Sequence, residues 1–181
     1  MSWILAGIHD IFVRGGLCGQ PVTSDKAGSV RLRDVIDDDL AILFEHQADP
    51  EASRMAAFPS RDRESFLAHW AKIRVDPTTK LQTILLDGQV AGSILSFERL
   101  GKREVGYWID RAFWGRGIAT RALAAFLRYD TARPLYALVV KTNLASIRVL
   151  EKCGFAIIGE CGWPPEDPVG DLGDWLFELT G

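Results

Sequence analysis

Two glycines one residue apart, Gly115 and Gly117, stand between an alternating aromatic segment, Glu104-Val105-Gly106-Tyr107-Trp108-Ile109-Asp110, and the opening of an apolar-periodic run, Ile118-Ala119-Thr120. A strand feeding a glycine turn feeding a helix is a recipe for an anion site. The first N–H groups of a helix have no intrahelical acceptor, and the helix dipole favours negative charge beside them. Two other phosphate motifs fail on their own requirements. A P-loop closes on Gly-Lys-Ser/Thr, which is absent. A dinucleotide fingerprint needs a third glycine and an acidic residue about 20 positions on, and neither is present. The other chemistry-bearing residues are dispersed. Cys18, Cys153 and Cys161 show no metal-ligand spacing, and Cys153 reads as a small packing residue. His9, His46 and His69 are scattered, so no metal site is expected. Asp37, Asp38 and Asp39 precede an apolar run. They read as a helix cap and a solvated first turn, because no glycine-turn ligand loop surrounds them.

The elements that position the turn can be read in order. Val30–Arg33 alternates as a short strand, and a helix follows the aspartates. Asp49-Pro50-Glu51 restarts a helix with proline at its first position. Asp62 caps a third, with Phe66, Leu67, Trp70 and Ile73 on one stripe and His69 off it. From Leu81 the period becomes two. Leu81–Leu86, Gln89–Phe97 and Arg103–Ile109 are strands joined by tight turns at Asp87-Gly88 and Gly101-Lys102, an antiparallel meander. The helix after the glycine turn places Ile118, Ala122, Leu123 and Phe126 together and ends near Arg128. Pro134–Val140 is a buried strand, parallel to the one before the helix. Asn143–Cys153 is a helix with Gly154 as its C-terminal stop. Strands near Phe155–Ile158 and Trp175–Leu179 flank a Pro- and acid-rich loop. Residues 1–29 read as a peripheral extension, with at most a short strand near Ile11–Val13.

Composition bounds the function. A chain of 181 residues with 48% hydrophobic and 25% charged residues fits one globular domain, residues 30–181, behind its extension. A formal net charge of −3 argues against nucleic acid as a partner. No apolar run approaches the roughly 20 residues of a membrane helix. His9 and Asp10 interrupt the apolar stretch Trp3–Ile8, so no secretory leader or membrane partner is expected. The odd cysteine count suits a reducing, cytoplasmic setting.

Four pieces in order resemble the GCN5-related N-acetyltransferase (GNAT) family: the strand Glu104–Ile109, the turn Trp114-Gly115-Arg116-Gly117-Ile118-Ala119-Thr120, the motif Asn143-x-x-Ser146, and Lys152-Cys153-Gly154-Phe155. The detail is similar to the RimJ/RimL-like branch, which favours Glu-Val/Ile-Gly-Tyr-Trp and Trp-Gly-x-Gly-Ile/Tyr-Ala-Thr. The resemblance covers residues 30–179. It implies an α+β fold with a central mixed, mostly antiparallel sheet of six or seven strands flanked by helices. It also implies acetyl-CoA as co-substrate and no metal. The turn from Trp114 to Thr120 would hold the pyrophosphate. The strand before it would bulge and splay from its parallel neighbour, so that the pantetheine arm pairs with backbone at Trp108, Ile109 and Asp110. Asn143 would hydrogen-bond the same arm.

The implied reaction delivers a neutral amine to the thioester carbonyl by direct attack and protonates the leaving thiolate. Glu104 matches the family's acid at the start of this strand and is the candidate base; otherwise it would pair in the neighbourhood of Arg103. The tyrosine that many members use as acid is replaced by Leu150, and Ser146 is the candidate to position a water or touch the sulfur. Arg116 and Arg121 could aid phosphate binding or simply face solvent. After Lys152 every charged side chain is acidic, including Glu160, Asp174 and Glu178. Such a segment could steer a cationic acceptor, or face water as an ordinary loop. The expected activity is N-acetylation of a protein N-terminus or a small-molecule amine. The alternative is a non-catalytic acyl-CoA sensor, and the resemblance leaves a homodimer open.

Overall fold

A computed structural model describes residues 28–161 and 173–181. The expected N-terminal extension as far as residue 27, the Ile11–Val13 strand and most of the acidic loop lie outside the described residues. Seven strands form one sheet: β1 Val30–Asp34, β2 Lys80–Leu86, β3 Gln89–Arg99, β4 Lys102–Ile109, β5 Leu135–Val140, β6 Ala156–Cys161 and β7 Asp174–Leu179. Their order across the sheet is β1-β2-β3-β4-β5-β7-β6. Among the described residues five α-helices accompany them: α1 Asp37–Ala48, α2 Pro50–Met55, α3 Arg63–Val75, α4 Ile118–Tyr129 and α5 Leu144–Lys152. Every neighbouring pair is antiparallel except β4 and β5. This is the mixed α+β architecture expected from the sequence.

Strand alternation divides the molecule into two layers. On one face Val105, Tyr107 and Ile109 of β4 and Leu135, Ala137 and Val139 of β5 pack against Ile118, Ala122, Leu123 and Phe126 of α4 and Val149 and Leu150 of α5. On the other face Leu95 meets Leu43, Phe66 and Trp70 from α1 and α3. Beside them Trp108 and Val140 meet Ala52 and Ala56 around α2. Leu67, expected on the buried stripe of α3, is instead 42% exposed. Phe66 and Trp70, four apart, already fill the face, and Leu67 sits one residue round from it.

Two local expectations change. The second hairpin turn uses Leu100 and Gly101, at φ 50° and 76°, so β4 begins at Lys102. The cap of α1 is Ile36, with no side-chain bond of its own. Asp39 reaches back to accept the Ile36 N–H at 3.1 Å. Asp39 is also not part of a solvated turn. It is buried and accepts from the Arg33 guanidinium at 2.6 and 2.7 Å and from the Thr83 hydroxyl at 2.7 Å, tying β1, α1 and β2 together. Burial alone would raise its pKa, but these bonds hold it below the usual carboxylate range.

The parallel pair carries the feature that matters for function. Between β4 and β5 the ladder consists of Glu104↔Tyr136, at the start of both strands. Beyond that point they diverge, while β4 stays paired with β3 through Gly92↔Ile109. The β4–β5 opening therefore widens toward the glycine turn. The bulge implied by the resemblance is not there: β4 pairs with β3 in constant register from Arg99↔Lys102 to Gly92↔Ile109.

Candidate functional site

The glycine turn lies where β4 ends. Asp110 caps a short 3-10 turn, Arg111–Phe113, by accepting the Ala112 N–H at 3.3 Å. Trp114 follows in extended conformation, and its indole donates to the Ile109 carbonyl at 2.9 Å, which pins the turn to the end of the strand. Gly115 and Gly117 have φ of 73° and 65°, a left-handed conformation that costs other residues about 1–2 kcal/mol. This conformation brings the chain into α4 with Gly117 as N-cap. A Cβ added at either glycine would meet nothing within 4 Å, so the space before the turn is open. Among the described residues none accepts the N–H of Gly115, Arg116, Gly117, Ile118, Ala119 or Thr120. Six successive donors leading into a helix start, with open space beside both glycines, suit a pyrophosphate in both charge and hydrogen-bonding capacity.

The two arginines near the turn behave differently. Arg121 donates to the carbonyls of Arg116, Gly117 and Gly28, so it braces the turn from behind. Arg116 lies 5.8 Å over the Phe113 ring and is exposed.

From the turn the β4–β5 opening leads inward. Trp108 is buried, its indole donating to the His46 carbonyl at 3.0 Å, and its neighbour Asp110 uses its own N–H on the Ala91 carbonyl at 2.9 Å. Asn143 caps α5: its Oδ1 accepts the Ser146 N–H at 3.1 Å. Asn143 and Ser146 are 1% and 0% exposed, beside the end of β5. Cys153 donates its thiol to the Thr120 carbonyl at 3.6 Å, linking α5 to α4, and burial pushes the thiol pKa up.

Glu104 is 6% exposed and sits on the same face as Trp108, opposite Phe97. Its Oε1 is held by Arg99, with Nε at 2.9 Å and a second guanidinium nitrogen at 2.8 Å. Arg103 is not its partner. That side chain projects to the other face and donates to Asp130 at 2.8 Å. The structure thus brings the turn, the strand end and the Asn143 cap around one opening. Glu104 stands at the narrow end and Ser146 on the layer beneath.

Three groups at this opening escaped the sequence reading. Asp174, counted only within an acidic run, is buried opposite Val140 and so shares the face of Trp108 and Glu104. Burial raises its pKa, and the Arg99 charge opposes this. Its place at a strand start beside apolar residues was the available signal. His46 lies 3.4 Å from Asp110 and is 8% exposed. Burial lowers its pKa against the pull of Asp110 and Glu45. Tyr107 is fully buried on the α4–α5 side, and burial raises its pKa with the Ser146 hydroxyl opposing. Of the other acidic residues, Glu160 pairs with Lys141 at 2.6 Å, and Glu178 hydrogen-bonds Tyr136. Among the described residues no group of three or more His, Cys, Asp and Glu could hold a metal ion, and no helix is long and apolar enough to cross a membrane.

Comparison with known proteins fits this geometry. The acetyltransferase (GNAT) domain family matches residues 29–156. The fold is similar to Mycobacterium smegmatis RimJ in complex with CoA-disulfide, at 24% identity and TM-score 0.70, covering 85% of this chain and 83% of that one. It is also similar to a chimera of the spermidine N-acetyltransferase SpeG from Vibrio cholerae and hSSAT, at 16% identity and TM-score 0.71, over 83% and 95% of the two chains. Aminoglycoside acetyltransferase AAC(6')-Ib in complex with coenzyme A and kanamycin aligns at 20% identity and TM-score 0.70, over 84% and 95%. No curated protein sequence matches the chain.

Proposed function

The chain belongs to the GNAT acetyltransferase family, and on that premise we propose that it transfers the acetyl group of acetyl-CoA to a primary amine by direct attack in a ternary complex. The observation that carries this is the turn at 115–120: six N–H groups with no acceptor among the described residues, at the wide mouth of the β4–β5 opening, with open space beside Gly115 and Gly117. In this reading Gly115–Thr120 grip the pyrophosphate, and the pantetheine arm runs along Trp108–Asp110. The Asn143 amide contributes from the α5 cap, and Trp114 and Arg116 flank the phosphates.

The acceptor side is the face bearing Glu104 of β4 and Asp174 and Glu178 of β7, the strands on either side of β5. Carboxylates on one face raise the local concentration of a cationic amine, so an ammonium-bearing acceptor suits it. Spermidine and kanamycin, named for two structural neighbours, are amines of this kind. The segment Glu104-Val105-Gly106-Tyr107-Trp108 and the likeness to RimJ favour the RimJ/RimL-like branch, hence also a peptide N-terminus. Glu104 acts as base, accepting the ammonium proton directly or through water. Its pairing with Arg99 holds the carboxylate in place on this face.

The test is release of CoA thiol from acetyl-CoA across a panel of polyamines, aminoglycosides and N-terminal peptides. Turnover with at least one amine is expected. Tight CoA binding with no turnover on any would favour the second reading, a non-catalytic acyl-CoA sensor, for which Leu150, buried with no titrating group, is the specific observation. With an acceptor in hand, Glu104→Gln should slow kcat about 100-fold below the amine's pKa. An unchanged rate there would remove Glu104 from the chemistry.

A further inference from the structure

Arg121 stands in the first turn of α4, and its guanidinium gathers three backbone carbonyls. Its Nε donates to the Gly117 carbonyl at 3.4 Å, and one terminal nitrogen donates to the Arg116 carbonyl at 3.2 Å. The other terminal nitrogen donates to the carbonyl of Gly28, 93 residues earlier in the chain. The chain at that point is itself fastened. Ser29 donates its N–H to Asp87 Oδ1 at 2.7 Å and accepts the Asp87 N–H at 3.0 Å. The guanidinium is thus stretched between the entry to β1 and the back of the glycine turn. A trans peptide is planar, so its N–H points opposite to its C=O. Fixing the Arg116 carbonyl therefore aims the Gly117 N–H away from the guanidinium, and fixing the Gly117 carbonyl aims the Ile118 N–H. These are two of the six N–H groups at 115–120 that find no acceptor among the described residues. They lie where the chain passes from left-handed Gly117, at φ 65°, into the helix. Glycine has no side chain to restrict these peptides, so their direction depends on what holds them from outside.

We propose that Arg121 is a positioning residue for coenzyme binding: it aims the Gly117 and Ile118 N–H groups at the pyrophosphate, with the Gly28 carbonyl as its fixed point. The proposal deepens the acetyl-CoA reading and rests on it. The sequence left Arg121 between a direct phosphate contact and a solvated charge, and this role is neither. The guanidinium lies behind the two peptides and acts through them. Donors already turned toward the anion need less ordering when it binds. The guanidinium also polarises the two carbonyls it bonds, which strengthens hydrogen bonds on the N–H side of the same peptides. Its three acceptors are neutral, so they leave its positive charge uncancelled beside the turn. Gly28 and Ser29, which only lead into β1, thereby become part of the support of the coenzyme site.

The test compares wild type with Arg121→Gln, Arg121→Lys and a control, Arg128→Gln, by CoA calorimetry and by amide NMR. Arg128 is on the same helix and donates to the Ala124 carbonyl at 3.1 Å, away from the turn. Arg121→Gln should weaken CoA binding about tenfold, the worth of roughly one charge-assisted hydrogen bond. Arg128→Gln should leave it unchanged. When CoA is added to wild type, the Gly117 and Ile118 amide protons should move downfield as they bond phosphate. In Arg121→Gln that shift should shrink, while Ala119 and Thr120 keep theirs, a pattern that a general loss of stability does not produce. Arg121→Lys keeps the charge but offers one nitrogen in place of three, so it should bind nearly as weakly as Arg121→Gln; it also serves if the glutamine variant does not fold. If wild type does not bind CoA, the acetyl-CoA reading fails and takes the inference with it. If wild type binds CoA, three results overturn the inference alone: wild-type affinity or wild-type Gly117 and Ile118 shifts in Arg121→Gln, full recovery by lysine, or an equal loss in Arg128→Gln.

Discussion

A glutamate at position 117 should separate the fold from the nucleotide site. Gly117 has φ 65°, and a Cβ there would meet no atom within 4 Å. The cost to folding of Gly117→Glu is therefore the left-handed backbone alone, about 1–2 kcal/mol. That corresponds to a few degrees in melting temperature for a domain of this size. The cost to binding is of another kind. A carboxylate roughly 5 Å from a doubly charged pyrophosphate, at an effective dielectric of about 40, is repelled by roughly 3 kcal/mol, or about 100-fold in Kd. Gly101, in the hairpin turn before β4, supplies the control, with φ 76° and nothing within 4 Å. Gly101→Glu should lower the melting temperature by the same amount and leave CoA affinity untouched. Isothermal titration of CoA into the three proteins, with thermal melts alongside, reads both effects. A Gly117→Glu protein that binds CoA as wild type does would refute the pyrophosphate cradle, whatever its melting temperature.

Two further expectations concern stability and pH. Asp130, at the end of α4, is 0% exposed and accepts from Lys80 at 2.9 Å, from Arg103 at 2.8 Å and from Ser96. Burial would raise its pKa, but the Ser96, Lys80 and Arg103 bonds bring it down to about 2. Asp130→Asn strands two cations and should lose about 3–5 kcal/mol in urea unfolding; a loss under about 1 kcal/mol would mean the network is not held in solution. Because its folded pKa lies below the unfolded one, the stabilisation is complete above the unfolded value and disappears as pH falls through about 2. His69 is half-buried on α3 beside Arg61 and Lys72, and burial with these charges lowers its pKa from 6.5 to about 4. The unfolded chain then binds the proton more readily, so stability declines as pH drops from about 6.5 toward 4. His69→Gln should flatten that slope in paired urea titrations at pH 7 and pH 5, and an unaltered slope would clear His69 of the effect.

The glycine turn was legible because everything that defines it is local. The spacing of Gly115 and Gly117, the apolar run after them and the orphan donors of a helix start follow from a dozen consecutive residues. The hairpins were legible for the same reason, and α4 because its stripe of Ile118, Ala122, Leu123 and Phe126 is unambiguous. What stayed hidden was non-local. Arg99 and Arg103 are both near Glu104 in sequence, and strand alternation decides between them. Arg99 pairs across the hairpin on the face of Glu104, while Arg103, its immediate neighbour, must point the other way to Asp130. Asp39 read as a solvated charge because charge runs usually are; only the fold brings Arg33 and Thr83 onto it. Asp174 was dissolved in an acidic run, although it pairs within the sheet opposite Val140.

The same alternation confines the proposed amine and its base to one face. Glu104 and Tyr107 are three residues apart on one strand, so their side chains leave on opposite faces and cannot meet. Glu104 is held among the carboxylates and Arg99 on the α1–α2 side, and Tyr107 among apolar side chains above α5. The break between the two faces is the β4–β5 opening beyond Glu104↔Tyr136. In the proposed reading the amine and its base Glu104 share one face and reach the thioester across that opening, so direct attack needs no residue to carry the acetyl group.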